Sequence, residues 1–246
     1  MSKVKVVSID SCMNFYPDNV LAAAFDLRYK ETSDLGWSDG LTFQKQPRSV
    51  LFSEADDQDK PGTVYFVQKE AFHSIDGVVR ISPSVDLNGR PISMIHQSFG
   101  DLIYPGKEVP TGNDIWETSR LIIDQNVFCT RETREPLVNR LLSSSFFYAH
   151  SKGIKALFCF MPEKVWPRTY ERMGLEVERL GPNREINDLG KIYNVYAGIM
   201  HIDDAVISRI EKNTGLTADI LDYGAVPMTP VFLERPYAFQ PRPAGG

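Results

Sequence analysis

Short apolar runs, each about the length of one β-strand, alternate along this chain with segments of helical spacing. Neither an all-helical nor an all-strand fold accommodates both periodicities, so the alternation confines the chain to a layered α/β arrangement. Strands are predicted at Val4 to Ile9, Thr63 to Gln68, Gly77 to Ser82, Trp116 to Asp124, Lys155 to Phe160, 175–180 and 192–200. Helices are predicted from Pro17-Asp18-Asn19 to Gly36, from Leu137 to His150 with Gly153 as a stop, from Pro162 to Met173, and from Asp203 to Asn213. Residues from about 38 to 62 and from about 83 to 114 read as irregular, and long loops of this kind are often functional.

The expected architecture is a single mixed sheet flanked by helices, a pattern that N-acetyltransferase-like (GNAT-type) domains share with other folds and that says nothing by itself about chemistry. One domain over residues 1–226 is expected, with an N-terminal lid region at about 15–62, followed by a Pro-rich tail at 227–246. With 42% hydrophobic residues among 246, the chain can bury a full core. A net charge of −5 gives no support to a nucleic-acid partner. No run approaches a membrane span and no signal peptide is visible, so a cytoplasmic location and no membrane partner are expected. Cys12, Cys129 and Cys159 stand far apart, and His73, His96, His150 and His201 are scattered; neither set has metal-ligand spacing, and no metal site is predicted.

The specific signal is an ordered series between residues 27 and 120. It runs through Leu27-Arg28-Tyr29, Leu35-Gly36-Trp37, Asp56-Asp57-Gln58-Asp59, Val64-Tyr65-Phe66-Val67, Gly77-Val78-Val79-Arg80-Ile81-Ser82-Pro83, Met94 with Phe99, and Trp116-Glu117-Thr118-Ser119-Arg120. This set resembles the LuxI-type acyl-homoserine-lactone (autoinducer) synthase family, which carries an Arg and a Trp near its N-terminus, an Asp-x-x-Asp pair, a Gly-x-x-Arg-Leu-x-Pro strand and a Glu-x-Ser-Arg strand. The likeness continues more weakly to about residue 202. It departs from the family at Thr32, where a Phe is usual, and at Gln58, where an aromatic is usual.

The resemblance implies a two-step reaction that produces a quorum-sensing signal. The amine of S-adenosylmethionine attacks an acyl thioester carried on acyl carrier protein or coenzyme A, and the methionyl carboxylate then displaces methylthioadenosine to close a lactone. S-adenosylmethionine is a substrate here, and no cofactor is implied. Glu117 is the candidate for proton removal, with Arg120 and Arg80 completing the catalytic set. Arg28, Asp56, Asp59, Trp37, Phe99 and Ser119 are the expected substrate-binding residues, the guanidiniums matching the substrate carboxylate and the acids its amine and sulfonium. In an ideal strand Arg120 faces away from Glu117, which only a bulge or a twist alters. Phe158, Phe160, Met161, Trp166, Leu142 and Phe146 are the candidates for an acyl pocket, or else ordinary core. Family members that prefer 3-oxo chains often carry a Thr after the strand that ends here in Met161-Pro162, so the resemblance favours a chain without that group. Arg131, Arg134, Arg140, Lys152 and Lys155 form either a docking patch for an acidic carrier or plain surface charge.

Two other classes compete. A coenzyme-A-dependent N-acyltransferase of the same fold needs a Gly-rich turn after the central strand, where this chain has Gln125-Asn126-Val127-Phe128-Cys129. A non-catalytic binding domain does not need the acids and arginines together.

Overall fold

The computed structural model describes residues 3–9, 20–35, 59–69, 75–126, 130–188 and 191–223. Within them the chain runs β1 (Val4–Ser8), α1 (Val20–Leu35), β2 (Val64–Gln68), β3 (Gly77–Pro83), α2 (Met94–Ser98), β4 (Ile115–Ile123), α3 (Arg131–Ser151), β5 (Ala156–Pro162), α4 (Trp166–Thr169), β6 (Glu178–Arg179), β7 (Arg184–Asp188), β8 (Lys191–His201), α5 (Asp204–Thr214) and β9 (Leu221–Asp222). The described strands form one mixed sheet in the order β6-β8-β5-β4-β3-β2-β1-β9, with β7 also paired to β8. β4 with β5, and β1 with β9, are parallel; the remaining pairs are antiparallel.

Period-two alternation assigns each strand two faces. On the back face Val64, Phe66, Val79, Ile81, Leu157 and Cys159 join the buried side of α3, through Leu137, Leu141, Leu142 and Phe146, and of α5, through Val206 and Ile210. On the front face, toward β1–β3, Tyr65, Val67 and Val78 pack under α1 through Leu21, Ala24, Phe25 and Leu27. Toward β5 and β8, Ala156, Phe158, Ala197 and Ile199 pack under Ile95 of α2 and Leu102 and Ile103. Helices thus cover both faces, as expected.

Several elements differ from expectation. The irregular stretch holds α2 and a short 3-10 turn at Gly100–Leu102. Helix α3 begins at Arg131, before Leu137, because Thr130 caps it by accepting a hydrogen bond from Thr133 N, and Pro136 is tolerated inside. The helix expected from Pro162 is only one turn, α4, followed by a 3-10 turn that ends at Gly174 in the left-handed region (φ +87°); Pro162 itself closes β5. β7 and β9 were not predicted. The tail at 227–246 and most of the expected lid region lie outside the described residues. Among the described residues no helix is long and apolar enough to cross a membrane.

Two irregularities in the sheet position the site. β4 and β5 pair only at Ile115 with Ala156, Trp116 with Leu157, and Glu117 with Phe158, and then separate. Beyond those pairs β4 continues against β3 and β5 against β8, so a wedge opens between the two parallel strands. The second irregularity is a β-bulge in β4. Val78 pairs with Ile122 but Arg80 with Ser119, so Val79 stands opposite both Arg120 and Leu121. Arg120 takes φ +56°, the one non-glycine residue in the left-handed region among those described.

Candidate active site

The bulge determines which side chains share the front face. Without it, strict alternation would put Leu121 and Ile123 beside Glu117 and Ser119. The extra residue instead turns Leu121 and Ile123 to the back core and leaves Ile122 against the front cluster under α1. Glu117 and Ser119 therefore stay on the front face, directly across from Ser82 and Arg80 of β3, and Arg80 in turn lies across from Tyr65 of β2. A polar row consequently crosses the sheet between the two apolar clusters of that face.

The row is closely bonded. Arg80 Nε donates to Ser119 Oγ at 3.1 Å, and Arg80 Nη1 donates to Asp59 Oδ1 at 2.6 Å. Arg28 comes down from α1 to donate from Nη1 to both Asp59 oxygens at 3.0 Å and to the Tyr65 hydroxyl at 2.8 Å. Tyr65 donates its own proton to Asp59. Both arginines are fully buried and Asp59 is nearly so. Burying such charges is tolerable only because every described partner is an ion or a hydrogen bond. Phe25 and Tyr65 flank the Arg28 guanidinium at 5.2 and 5.9 Å and hold its plane in place.

Glu117 sits where the wedge opens. It is 1% exposed, and its Oε2 accepts from the backbone N–H of Met94, the first residue of α2, at 2.7 Å. Phe158 is its neighbour across the β4–β5 pairing, and Phe99 and Phe160 pack beside it with ring centroids 4.5 Å apart. Behind the same opening, burial pushes the Cys159 thiol far above its ordinary range, and the Glu117 charge adds to that effect. A buried thiol of this kind is inert, which leaves Cys159 no role as a nucleophile.

The structure brings Arg28, Asp59, Arg80, Ser119 and Glu117 to one face, with Phe99, Phe158 and Phe160 beside them. Arg120 occupies the bulge itself. Trp37 and Asp56 lie outside the described residues. Leu142, Phe146 and Trp166 belong to the back core, and Met161 packs against that core, on the opposite side of the sheet from the polar row. The basic patch divides: Arg131 and Lys152 stand at opposite ends of α3, about 30 Å apart for a helix of that length. Arg131 and Arg134 instead line an open cavity of about 290 Å³ with Arg168 and Arg172 from the α4 segment. Glu135 lies among them, and contact with Arg172 first, then Arg131, holds its carboxyl below the usual range.

Sequence reasoning missed two residues of the row. Tyr65 bridges Arg28 and Asp59; its signal was a hydroxyl between Val64 and Phe66 in the apolar run of β2, whose other polar residue is Gln68 at its end. Ser82 has a fully buried hydroxyl with no hydrogen-bond partner among the described residues, directly opposite Glu117, where strand alternation alone pointed to it. Among the described residues no group of three or more His, Cys, Asp or Glu side chains is placed to hold a metal ion.

Comparison with known proteins bears on this arrangement. The chain is 34% identical over 105 residues to an acyl-homoserine-lactone synthase of Aeromonas salmonicida, an overlap of 40% of this chain and 47% of that relative. It is 28% identical over 174 residues to one of Ralstonia solanacearum, covering 68% of this chain and 77% of the relative. The chain is thus similar in sequence to acyl-homoserine-lactone synthases over part of its length. The chain thus spans about half the length of the Aeromonas relative and about three quarters of the Ralstonia relative. No family model matches the chain. The fold is shared with the solved coenzyme-A-dependent acyl-homoserine lactone synthase BjaI, in a structure with S-adenosylmethionine and isopentyl-CoA: TM-score 0.71, 20% identity, 91% of this chain and 94% of that one covered. The synthase LasI gives TM-score 0.64 at 20% identity, over 87% of this chain and 97% of LasI.

Proposed function

We propose that this chain is an acyl-homoserine-lactone synthase that acylates the amine of S-adenosylmethionine and then lactonises it. The observation that carries the reading is the placing of Glu117 at the mouth of the β4–β5 wedge, on the same face as Arg80, Arg28 and Asp59. The front face holds the amino-acid substrate. The guanidiniums of Arg28 and Arg80 match its carboxylate, and Asp59 fixes the pair in place. Trp37 and Asp56 belong to the same reading, as the aromatic and the acid that meet the sulfonium side.

Glu117 takes the proton of the ammonium, directly or through a water, so that the nitrogen lone pair can attack the thioester carbon. The C–N bond forms, the C–S bond breaks, and the thiol leaves with a proton. The substrate carboxylate then displaces the sulfonium: a C–O bond forms, the second C–S bond breaks, and methylthioadenosine leaves with the electron pair. Both steps join groups already on the substrates, so the protein contributes orientation and charge placement more than new chemistry. Ser119 and Arg120 support the charge network, and Phe99, Phe158 and Phe160 wall the acyl carbonyl.

The acyl donor approaches from the back. The arginine-lined cavity suits an acidic carrier protein or the phosphates of acyl-CoA, and the α4 segment that forms its rim buries Trp166 and Tyr170 in the back core. Leu142, Phe146 and Met161 then line the acyl chain. The test is incubation of the purified protein with S-adenosylmethionine and a panel of acyl-CoA and acyl carrier protein donors, followed by mass spectrometry. Methylthioadenosine together with an acylated lactone supports the reading; an acylated amine without lactone points to a plain N-acyltransferase.

A further inference from the structure

We propose that Ser82 is a substrate-binding residue of the front site, its hydroxyl accepting a hydrogen bond from the amine of S-adenosylmethionine beside Glu117. The inference rests on the synthase reading and adds a contact to it. The Gly-x-x-Arg-Leu-x-Pro pattern matches Arg80 and Pro83 and leaves the position between Ile81 and Pro83 open, so the resemblance gives Ser82 no role.

Ser82 is fully buried, and its Oγ has no hydrogen-bond partner among the described residues. Its hydroxyl neighbours are matched. Ser84, two residues along β3, donates to Gly112 O and accepts from Gly112 N, both at 3.1 Å. Ser119 accepts from Arg80 Nε, Tyr65 bonds Arg28 and Asp59, and Ser93 accepts from the backbone N–H of His96. Buried polar groups are nearly always satisfied, because an orphan forfeits the hydrogen bond it made with water. Ser82 stands out among these hydroxyls, and a bound polar group is what it lacks.

Its place in the sheet says which group. Ser82 and Glu117 are cross-strand partners, so their Cβ atoms lie about 5 Å apart on the front face. Ser82 Oγ does not bond the carboxylate, so a nitrogen set between the two side chains can bond both. On its other side Glu117 has Phe158, across the β4–β5 pairing. Of the two strands beside Glu117, only β3 therefore offers a polar side chain directly across from it.

The spacing along β3 suits an amino acid. Arg80 stands two residues before Ser82 on the same face, about 7 Å along the strand. In the synthase reading the Arg80 guanidinium meets the substrate carboxylate. The amine sits on the carbon next to that carboxylate, and with hydrogen bonds of about 2.9 Å at each end the substrate reaches from Arg80 to Ser82. Each N–H of an ammonium needs an acceptor. Glu117 removes one proton; Ser82 accepts from another, which stays on nitrogen through the attack, and the freed lone pair is aimed at the thioester carbon.

The experiment is isothermal titration calorimetry of the full chain with S-adenosylmethionine, with its analogue bearing hydrogen in place of the amino group, and with methylthioadenosine, which has no amino-acid amine. The proteins are the native chain, Ser82→Ala and Ser82→Cys. Both variants are expected to bind S-adenosylmethionine about ten-fold more weakly than the native protein and to bind the two ligands without the amine as the native protein does. Cysteine keeps the size of serine and is a weak acceptor, so it keeps the test open if the Ala variant does not fold. Ser82→Ala is expected to melt no lower than the native protein, because it removes an unmatched hydroxyl and no bond. Equal weakening of all three ligands, as a merely structural Ser82 would give, overturns the inference and leaves the synthase reading standing. Unchanged affinity for S-adenosylmethionine in both variants does the same. Failure of the native protein to bind S-adenosylmethionine at all overturns both.

Discussion

Arg28 on α1 and Arg80 on β3 close on the same Asp59 carboxylate, at 3.0 and 2.6 Å, and neither guanidinium touches solvent. The cluster joins a helix, the segment before β2 and a central strand, so it fastens the edge of the front face as well as preparing the site. Asp59→Asn keeps the shape and removes the charge that both arginines share. Breaking a buried ion pair costs about 3–5 kcal/mol. Urea denaturation is therefore expected to show a clear loss of stability, larger than for an Asp→Asn change on the exposed surface such as Asp204. A midpoint equal to the native one would mean that other groups neutralise the arginines.

Glu117→Gln is the sharpest change available at the wedge. The amide oxygen can still accept from Met94 N–H, so α2 stays in place, yet the side chain no longer takes a proton. Methylthioadenosine release is expected to fall about 10²–10⁴-fold, with an unchanged circular dichroism spectrum and melting temperature. Rates near native would remove Glu117 from the proton transfer.

The bulge at Arg120 separates backbone from side-chain roles. At φ +56° glycine is at ease and a β-branched residue is not. Arg120→Gly is expected to keep the bulge, and Arg120→Val to be less stable than Arg120→Gly by about 1–2 kcal/mol. If the guanidinium supports the charge network, both variants lose activity. A Gly variant with native turnover would assign Arg120 to the backbone alone.

Much of the layer pattern was legible because strand runs and helix periods are local properties. The α3 start was hidden by Pro136, whose ring argues against a helix that the Thr130 cap nevertheless begins earlier. The sides taken by the acyl-pocket candidates were not legible, because a period-two pattern says that Phe158 and Cys159 face opposite ways without saying which helix each meets. The site itself was half visible. Arg28, Asp59 and Arg80 could be named from a family pattern, but their meeting on one carboxylate depends on the order of β2, β3 and β4 in the sheet. The bulge that lets Glu117 and Ser119 remain on the front face while Leu121 turns away has no local signature, since Arg is an unusual residue at that backbone angle.

Gly181 shows how closely the wall of the front face is built. A Cβ there would fall 1.8 Å from Leu102 O, a backbone atom, so the segment at 99–104 must shift to admit it. That segment follows α2, whose first N–H holds Glu117, and Tyr104 N bonds Leu180 O at 3.0 Å. Gly181→Ala is expected to cost about 1–3 kcal/mol and to lower turnover as well, because Phe99 and Met94 move with the segment. Thermal melts with parallel rate measurements check both effects; a stable variant of native rate would show that the segment relaxes without disturbing the site.

Stability at high pH follows from the thiol behind the wedge. Burial raises the Cys159 pKa far above its ordinary value of 9.0, and the unfolded chain titrates near that ordinary value. Below about pH 9 both states keep the proton and this stabilising contribution is fully present. Above it the unfolded state loses its proton while the folded state retains it, so unfolding becomes progressively easier as pH rises. Tyr170, also raised by burial, adds to the same alkaline limb. Cys159→Ala removes the first of the two groups, and the decline in urea midpoint between pH 8.5 and 10.5, chosen to bracket the value of about 9, is expected to be shallower than in the native protein. The folded native protein is likewise expected to resist iodoacetamide at Cys159 at pH 8.5 and to react once unfolded, read by peptide mass. Ready alkylation of the folded chain would show that the thiol is reached by solvent and that its burial contributes nothing to the alkaline limb.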